Sequence, residues 1–199
     1  MALSPPRERE PIHTRTITCQ GYRRTDGLWD VEGHLKDVKS YAFKNNDRGE
    51  IKPGEPIHEM WLRITVDDRF TIIDAEASTV AGPFNVCGAI NPAYSQLIGL
   101  RITSGFTRQV KERLGGVHGC THLTELVGSV ATAAFQTIFP ILARLGEDNP
   151  PPEPKTKRPP PLLNTCHALA SDGAIAEEHW PDYYTGERQS ARSQDAGDD

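Results

Sequence analysis

The sequence predicts an α+β fold in which an antiparallel sheet of about four strands is covered on one face by about three helices. In the first half of the chain, β-branched and polar residues alternate in segments joined by short turns, which is typical of antiparallel strands. After Ala77 the apolar residues recur at the spacing of three and four that marks helices. Strands followed by helices indicate one sheet with its helices packed against it.

Four segments have the alternation of strands. They cover residues 12–24, 28–43, 58–66 and 70–77. Thr25-Asp26-Gly27 and Asp67-Asp68 supply turn residues between the members of each pair, so two hairpins are expected. The alternation slips near Gly33, and we therefore expect a β-bulge there.

Three helices are expected after the strands. Asn91-Pro92 favours the start of a short helix to about Leu97, because asparagine caps helices and proline suits the first helical position. A second helix is expected over residues 104–114. A third begins near Thr121 and continues to about Ile138, and Pro140 is expected to kink or break it.

The composition excludes several classes of protein. The net charge is −5 and no basic stripe is present, which argues against a nucleic-acid partner. No uninterrupted apolar run approaches the ~18 residues of a membrane span, and the first ten residues lack the apolar core of a secretion signal. We therefore expect a cytoplasmic protein without a membrane partner, whose four cysteines are reduced rather than paired in disulfides.

The chain divides into five expected regions. These are a disordered start (residues 1–10), one α+β domain (11–146), a Pro-rich linker (147–161), a C-terminal segment that packs back on the domain (162–185) and a disordered tail (186–199). The linker has the composition of a polyproline-type segment, which partner proteins often recognise. A protein partner bound through this linker is therefore one hypothesis, in which the chain is a non-catalytic interaction module.

The segment His118-Gly119-Cys120-Thr121-His122 concentrates side chains that bind metals or react as nucleophiles. Cys120 is expected at the start of the third helix, where backbone N–H groups and the helix dipole stabilise a thiolate. Thiolate and imidazole are ligands of zinc and of other borderline or soft metals. Because a helix beginning at Thr121 turns His122 away from Cys120, at most two of these three side chains are expected to share an ion.

A complete site needs ligands from elsewhere in the chain. Cys87 follows a glycine-containing loop, and His58 opens a strand. We therefore expect His58, Cys87 and Cys120, with His118 or His122, to hold zinc or iron, or the two cysteines to handle sulfur. If the protein is an enzyme, an open metal position would polarise a carbonyl group or activate water. The alternative is that both cysteines are small buried hydrophobic residues.

A third hypothesis places a metal-free enzyme on one strand. Asp30, Glu32 and His34 share one face of that strand and could form an acid–base cluster. The alternative is an ordinary solvated face of the sheet.

Two resemblances add to these expectations. The segments D-G-L-W-D-V-E-G-H-L-K-D, P-I-H-E-M-W-L-R-I-T-V-D and G-C-T-H-L-T-E-L resemble a bacterial family described as a domain of unknown function, over about Thr14 to Ile138. The segment M-W-L-R-I-T-V-D-D-x-x-x-I-I-D-A-E-A is similar to the strand pair of iron–sulfur scaffold and sulfur-acceptor proteins. That similarity implies that Cys87 takes the loop position of those proteins and Cys120 the position at the start of their closing helix.

The chain differs from the iron–sulfur scaffold proteins just before this strand pair. The scaffolds carry a cysteine and an aspartate before the strand, where this chain has Pro56-Ile57-His58. The resemblance therefore implies that His58 replaces a ligand in a zinc-like site. Sulfur acceptors keep only the loop cysteine, which implies that Cys87 alone could carry a persulfide.

Overall fold

The computed structural model describes residues 3–148 and 159–187, except the side chains of residues 147 and 148. The chain divides into two compact units, Met1–Pro150 and Pro151–Asp199. Most of the expected linker, and the expected tail from residue 188 onward, lie outside the described residues. Residues 3–12 form no helix or strand. The disorder expected at both ends of the chain stays a prediction.

The first unit contains the sheet that the sequence predicts. Its strands are β1 (His13–Arg23), β2 (Trp29–Lys39), β3 (Phe43–Asn45), β4 (Gly49–Ile51), β5 (Pro56–Val66) and β6 (Ile72–Ala81). The main sheet has four antiparallel strands in the order β1-β2-β5-β6, and β3 pairs with β4 in a small separate hairpin. The α+β fold with a four-stranded antiparallel sheet is therefore confirmed.

The helices of the first unit follow β6. They are a 3-10 helix (Cys87–Leu97), α1 (Phe106–Leu114), a 3-10 turn (Gly116–His118) and α2 (Thr121–Asp148). α2 runs past Pro140 as one helix, so the chain does not break there. By length and hydropathy α2 could cross a membrane over Thr121–Gly146, but the core helix of a soluble domain passes the same test.

α2 covers one face of the sheet and contacts β1, β2 and β5. On β2 the fully buried side chains Trp29, Val31, Leu35 and Asp37 alternate with half-buried ones. Trp29, Val31 and Leu35 join buried residues of β5, α1 and α2 in one apolar core. Burial of this core supplies the main force that holds the helix on the sheet.

The bulge expected near Gly33 is wrong, because the pairing is regular there and the register shifts between Asp37 and Val38. Gly33 has another role. A Cβ at this position would lie 2.4 Å from Val130 Cγ2, so only glycine lets α2 approach the sheet this closely. Gly21 meets Thr137 in the same way.

The second unit is described over residues 159–187. It contains a 3-10 turn (His167–Leu169), α3 (Ala174–His179) and a 3-10 turn (Pro181–Tyr183). Ala176 is buried within it, and the Asn164 side chain accepts a hydrogen bond from the Ser171 backbone N–H. Packing of this segment on the first unit stays a prediction.

Candidate metal centre

The register of three strands brings Arg15, Asp37 and His58 into one row. Asp37 on β2 pairs directly with Arg15 on β1 and with His58 on β5. Direct cross-strand partners project from the same face of a sheet. The row therefore lies on the face that α2 covers, and the register shift follows immediately after Asp37.

The first two turns of α2 add two side chains above this row. The His122 ring lies against the His58 ring in a tilted arrangement, with a centroid separation of 3.7 Å and an angle of 31° between the planes. One turn further along, Glu125 forms an ion pair of 2.5 Å with Arg15 Nη1. The start of α2 is thus placed against the row by both an imidazole pair and a charge pair.

Asp37 is the centre of this cluster, and its side chain is only 2% exposed. Its Oδ1 accepts hydrogen bonds from His13 Nε2 at 3.0 Å and from Arg15 Nε at 2.8 Å. Its Oδ2 accepts from Arg15 Nη2 at 2.8 Å and from His58 Nδ1 at 3.0 Å. The Nε2 atom of His122 lies 4.0 Å from the same Oδ2. The buried carboxylate is therefore neutralised by a bidentate arginine, which is a strong pairing geometry.

The pKa of Asp37 follows from these contacts. Burial by itself raises the pKa of this carboxyl group, but the hydrogen bonds and charge of Arg15, followed by the hydrogen bonds of His13 and His58, outweigh burial and lower the pKa to about 2. Asp37 is therefore ionised at neutral pH.

The surroundings of His58 and His122 favour the neutral form of both rings. Burial lowers the pKa of His58, and the neighbouring His122 lowers it further against the opposing effect of Asp37. Burial also lowers the pKa of His122, with the charge of Arg15 as the next cause. The cluster thus combines one carboxylate with two neutral imidazoles.

This combination is suited to a metal ion. One ligand atom each from Asp37, His58 and His122 can be chosen so that all lie within 4.8 Å of one another. Among the described residues, no other group of three or more histidine, cysteine or acidic side chains is this close. Two histidines and a carboxylate are the ligands of many catalytic zinc sites and of non-haem iron(II) sites.

The structure brings only some of the expected site residues together. His58 and His122 are neighbours in the cluster, and Cys120 lies beside it with its Sγ 3.9 Å from His122 Nδ1. Cys120 directly precedes α2, as expected. Neither Cys87 nor Cys120 belongs to the three-residue group.

Cys87 and His118 lie apart from the group. Cys87 starts the 3-10 helix after β6 and packs on Gly82, where an added Cβ would come within 3.0 Å of the Cys87 Sγ. His118 is exposed at the end of a 3-10 turn. Both thiols are free. The hypothesis of a site built on both cysteines stays a prediction.

The cluster also contains three residues that the sequence patterns do not single out as site residues: Asp37, His13 and Arg15. A signal for Asp37 is present, because the alternation of Trp29, Val31 and Leu35 continues to residue 37 and puts a charged residue at a buried position. A carboxylate on the apolar face of a strand requires a partner. His13 and Arg15 lie on an exposed edge strand and carry no comparable signal.

Asp30, Glu32 and His34 lie on the opposite face of β2, away from Asp37. Each contacts a different residue of β5. The partners are Thr65 at 2.7 Å, Arg63 at 3.5 Å and Glu59 at 3.1 Å, respectively. A shared acid–base role for the three residues stays a prediction.

Fold and site together define an α+β domain with a cluster of two histidines and a carboxylate under the start of its long helix. The chain belongs to the family described as "Protein of unknown function (DUF2889)", whose model matches residues 13–136. The matched region begins at His13 and contains every member of the cluster. No curated protein and no solved structure matches the chain.

Proposed function

We propose that this protein is a metal-binding domain that holds one divalent zinc or iron(II) ion at Asp37, His58 and His122. The observation that carries the proposal is the convergence of these side chains from β2, β5 and α2, with ligand atoms within 4.8 Å of one another. Titratable side chains whose pKa values are shifted by burial and by a specific charged partner often mark functional sites.

The separations of the ligand atoms support the proposal. Ligand atoms bound at about 2.0–2.1 Å in a tetrahedral site lie roughly 3.3 Å from one another. Asp37 Oδ2 is 3.0 Å from His58 Nδ1 and 4.0 Å from His122 Nε2, values on either side of that separation.

The protonation states also support it. A histidine binds metal only through an unprotonated nitrogen. Because the pKa values of His58 and His122 are lowered, both rings are neutral at pH 7. A cation at His58 Nδ1 would take the place of the proton that now bonds to Asp37, and the neutral ring would then carry its proton on Nε2.

Three protein ligands leave at least one coordination position open, which distinguishes catalytic zinc sites from structural ones. The charge of Arg15, next to Asp37, would oppose a cation and favour an anion at the open position. The position therefore suits hydroxide or a carboxylate group, and a metal-bound water there would be activated.

Sulfur handling is the second candidate, and the thiol of Cys120 supports it by its position 3.9 Å from His122 Nδ1. The resemblance to iron–sulfur scaffold and sulfur-acceptor proteins assigns Cys87 a role as well.

The first test is metal content. The full chain, stripped with chelator and titrated anaerobically with zinc or iron(II), should bind about one equivalent. His58→Ala and His122→Ala should each lose most of this binding, because each removes one of three protein ligands. His118→Ala is the matched control, since it removes an exposed imidazole four residues from His122.

The cysteine variants decide between the two ligand sets. Cys87→Ser and Cys120→Ser should keep the equivalent of zinc if Asp37, His58 and His122 are the ligands. Loss of zinc in both Cys87→Ser and Cys120→Ser would contradict the proposal and favour the site built on cysteines.

A further inference from the structure

A second group of potential ligands lies on the other side of the His122 ring. Cys120 Sγ is 3.9 Å from His122 Nδ1 and 3.9 Å from the Sδ atom of Met60. Met60 lies on β5, two residues after His58, and is 1% exposed. His122 therefore turns Nε2 toward Asp37 and Nδ1 toward a thiol that also touches a thioether.

We propose that Cys120, Met60 and His122 form a soft-metal site that binds copper(I). Thiolate and thioether sulfur select copper(I) over hard cations, and imidazole nitrogen is a common additional ligand of copper. Met60 is the only methionine besides Met1, and its thioether sulfur lies against the thiol of Cys120. This inference does not depend on the zinc or iron site, with which it shares only His122.

The distances fit a three-coordinate ion. With bonds of about 2.3 Å to sulfur and about 2.0 Å to nitrogen, ligand atoms in a trigonal site lie roughly 3.7–4.0 Å apart. Both separations of 3.9 Å from Cys120 Sγ fall in that range. The two contacts of the Cys120 sulfur therefore match two of the three ligand separations of a trigonal site.

The backbone of Cys120 is held in place by a buried tyrosine. The Tyr94 hydroxyl accepts a hydrogen bond from the Cys120 N–H at 3.0 Å and lies 2.9 Å from both Cys120 O and Thr124 Oγ1. Tyr94 itself is 0% exposed. A Cβ at Gly119 would lie 2.2 Å from the Leu114 carbonyl oxygen, so glycine is needed before the cysteine. The thiol is thus presented from a fixed position, as a preformed metal site requires.

The charge balance is also favourable. On binding, the S–H bond of Cys120 breaks, its proton passes to solvent, and a copper–sulfur bond forms without any change of oxidation state. Copper(I) and one thiolate are together neutral, which limits the cost of placing the ion in a half-buried site. Met60 contributes a lone pair and loses no proton. His122 binds through Nδ1 and keeps its proton on Nε2, the nitrogen nearer to Asp37.

The test is competition for copper(I) between the reduced full chain and a chromophoric copper(I) chelator, without oxygen. The wild type should take up one equivalent. Loss of a residue that only supports a ligand weakens metal binding by roughly tenfold or more. Cys120→Ala and Met60→Leu should each weaken copper(I) binding by more than that. Met60→Leu nearly conserves side-chain volume, so the buried position should stay packed. Cys166→Ser, which removes an exposed thiol, is the control.

Two further measurements make the test decisive. His58→Ala should lose zinc and keep copper(I), so failure of one site is distinguishable from failure of the other. X-ray absorption on the copper(I) complex should show two sulfur ligands and one nitrogen ligand. Equal copper(I) affinity of the wild type and Cys120→Ala, unchanged affinity in Met60→Leu, or a shell without sulfur would each overturn the proposal.

Discussion

At the residue scale, the chemistry of the site depends on how Asp37 is partnered. A carboxylate that is 2% exposed is costly to bury unless hydrogen bonds and opposite charge offset the loss of water. Arg15 provides both, and His13 and His58 fill the remaining acceptor positions. The same arrangement keeps the carboxylate ionised and oriented toward the two imidazoles.

The lowered pKa values predict how stability changes with pH. Since His58 and His122 take up protons more readily in the unfolded chain, the free energy of unfolding should fall as pH decreases below about 6.5. A second loss should follow between about pH 4 and the folded-state pKa of Asp37, about 2, for the same reason.

Urea unfolding at a series of pH values, in chelator, checks this prediction. The double variant His58→Gln/His122→Gln should flatten the part of the curve just below pH 6.5 and leave the acid part in place. A wild-type free energy of unfolding that rises as pH falls from 6.5 would contradict the sign of both histidine shifts.

At the element scale, the sequence pattern predicted more of the fold than of the site. Alternation defined the four main strands, and helical spacing located α2, because burial of one face leaves a periodic trace in a sequence. The bulge in β2 lies after Asp37 and not near Gly33, where the sequence predicts it. Gly33 interrupts the alternation of side chains because the absence of a side chain there makes room for Val130.

The site depends on information that periodicity does not contain. A one-residue slip in strand register moves a side chain to the other face of the sheet, and register was not predicted. His58 and His122 were identified from their chemistry, whereas Asp37 and Arg15 join them only through the pairing of β1, β2 and β5. The cysteines are candidate site residues because thiols are reactive, but reactivity does not determine which residues lie close together in the fold.

Close contact between α2 and the sheet leads to a stability prediction. Gly33→Ala should destabilise the protein by about 1–3 kcal/mol, because its new methyl group overlaps Val130. Gly128 lies on α2, as Val130 does, but has open space around it. Gly128→Ala should therefore stabilise the protein by about 0.5–1 kcal/mol. Urea unfolding of both variants measures the difference.

A double variant makes the cause specific. Val130→Ala removes the atom that the new methyl group would strike, so part of the loss in Gly33→Ala should be recovered relative to the sum of the single effects. Strict additivity of the two substitutions would show that the contact between Gly33 and Val130 is not responsible.

At the scale of the whole molecule, the chain consists of two compact units, and the cluster lies entirely in the first. A chain ending at Pro150 should therefore fold and bind one equivalent of zinc as the full chain does. Metal analysis and thermal unfolding of the two chains provide the comparison. Loss of zinc binding on truncation, with the shorter chain still folded, would mean that residues after 150 contribute a ligand.

The same truncation addresses the hypothesis of a protein partner. If the Pro-rich linker and the C-terminal segment bind another protein, removing them should abolish that interaction and leave the metal site intact. The cytoplasmic location expected from the sequence likewise stays a prediction.

The most direct measurement is a crystal structure of the zinc-loaded full chain with anomalous data collected at the zinc edge. We expect one strong peak about 2.0–2.2 Å from an Asp37 carboxylate oxygen and from ring nitrogens of His58 and His122. A peak bound to Cys87 and Cys120, or no peak near Asp37 at saturating zinc, would contradict the assignment.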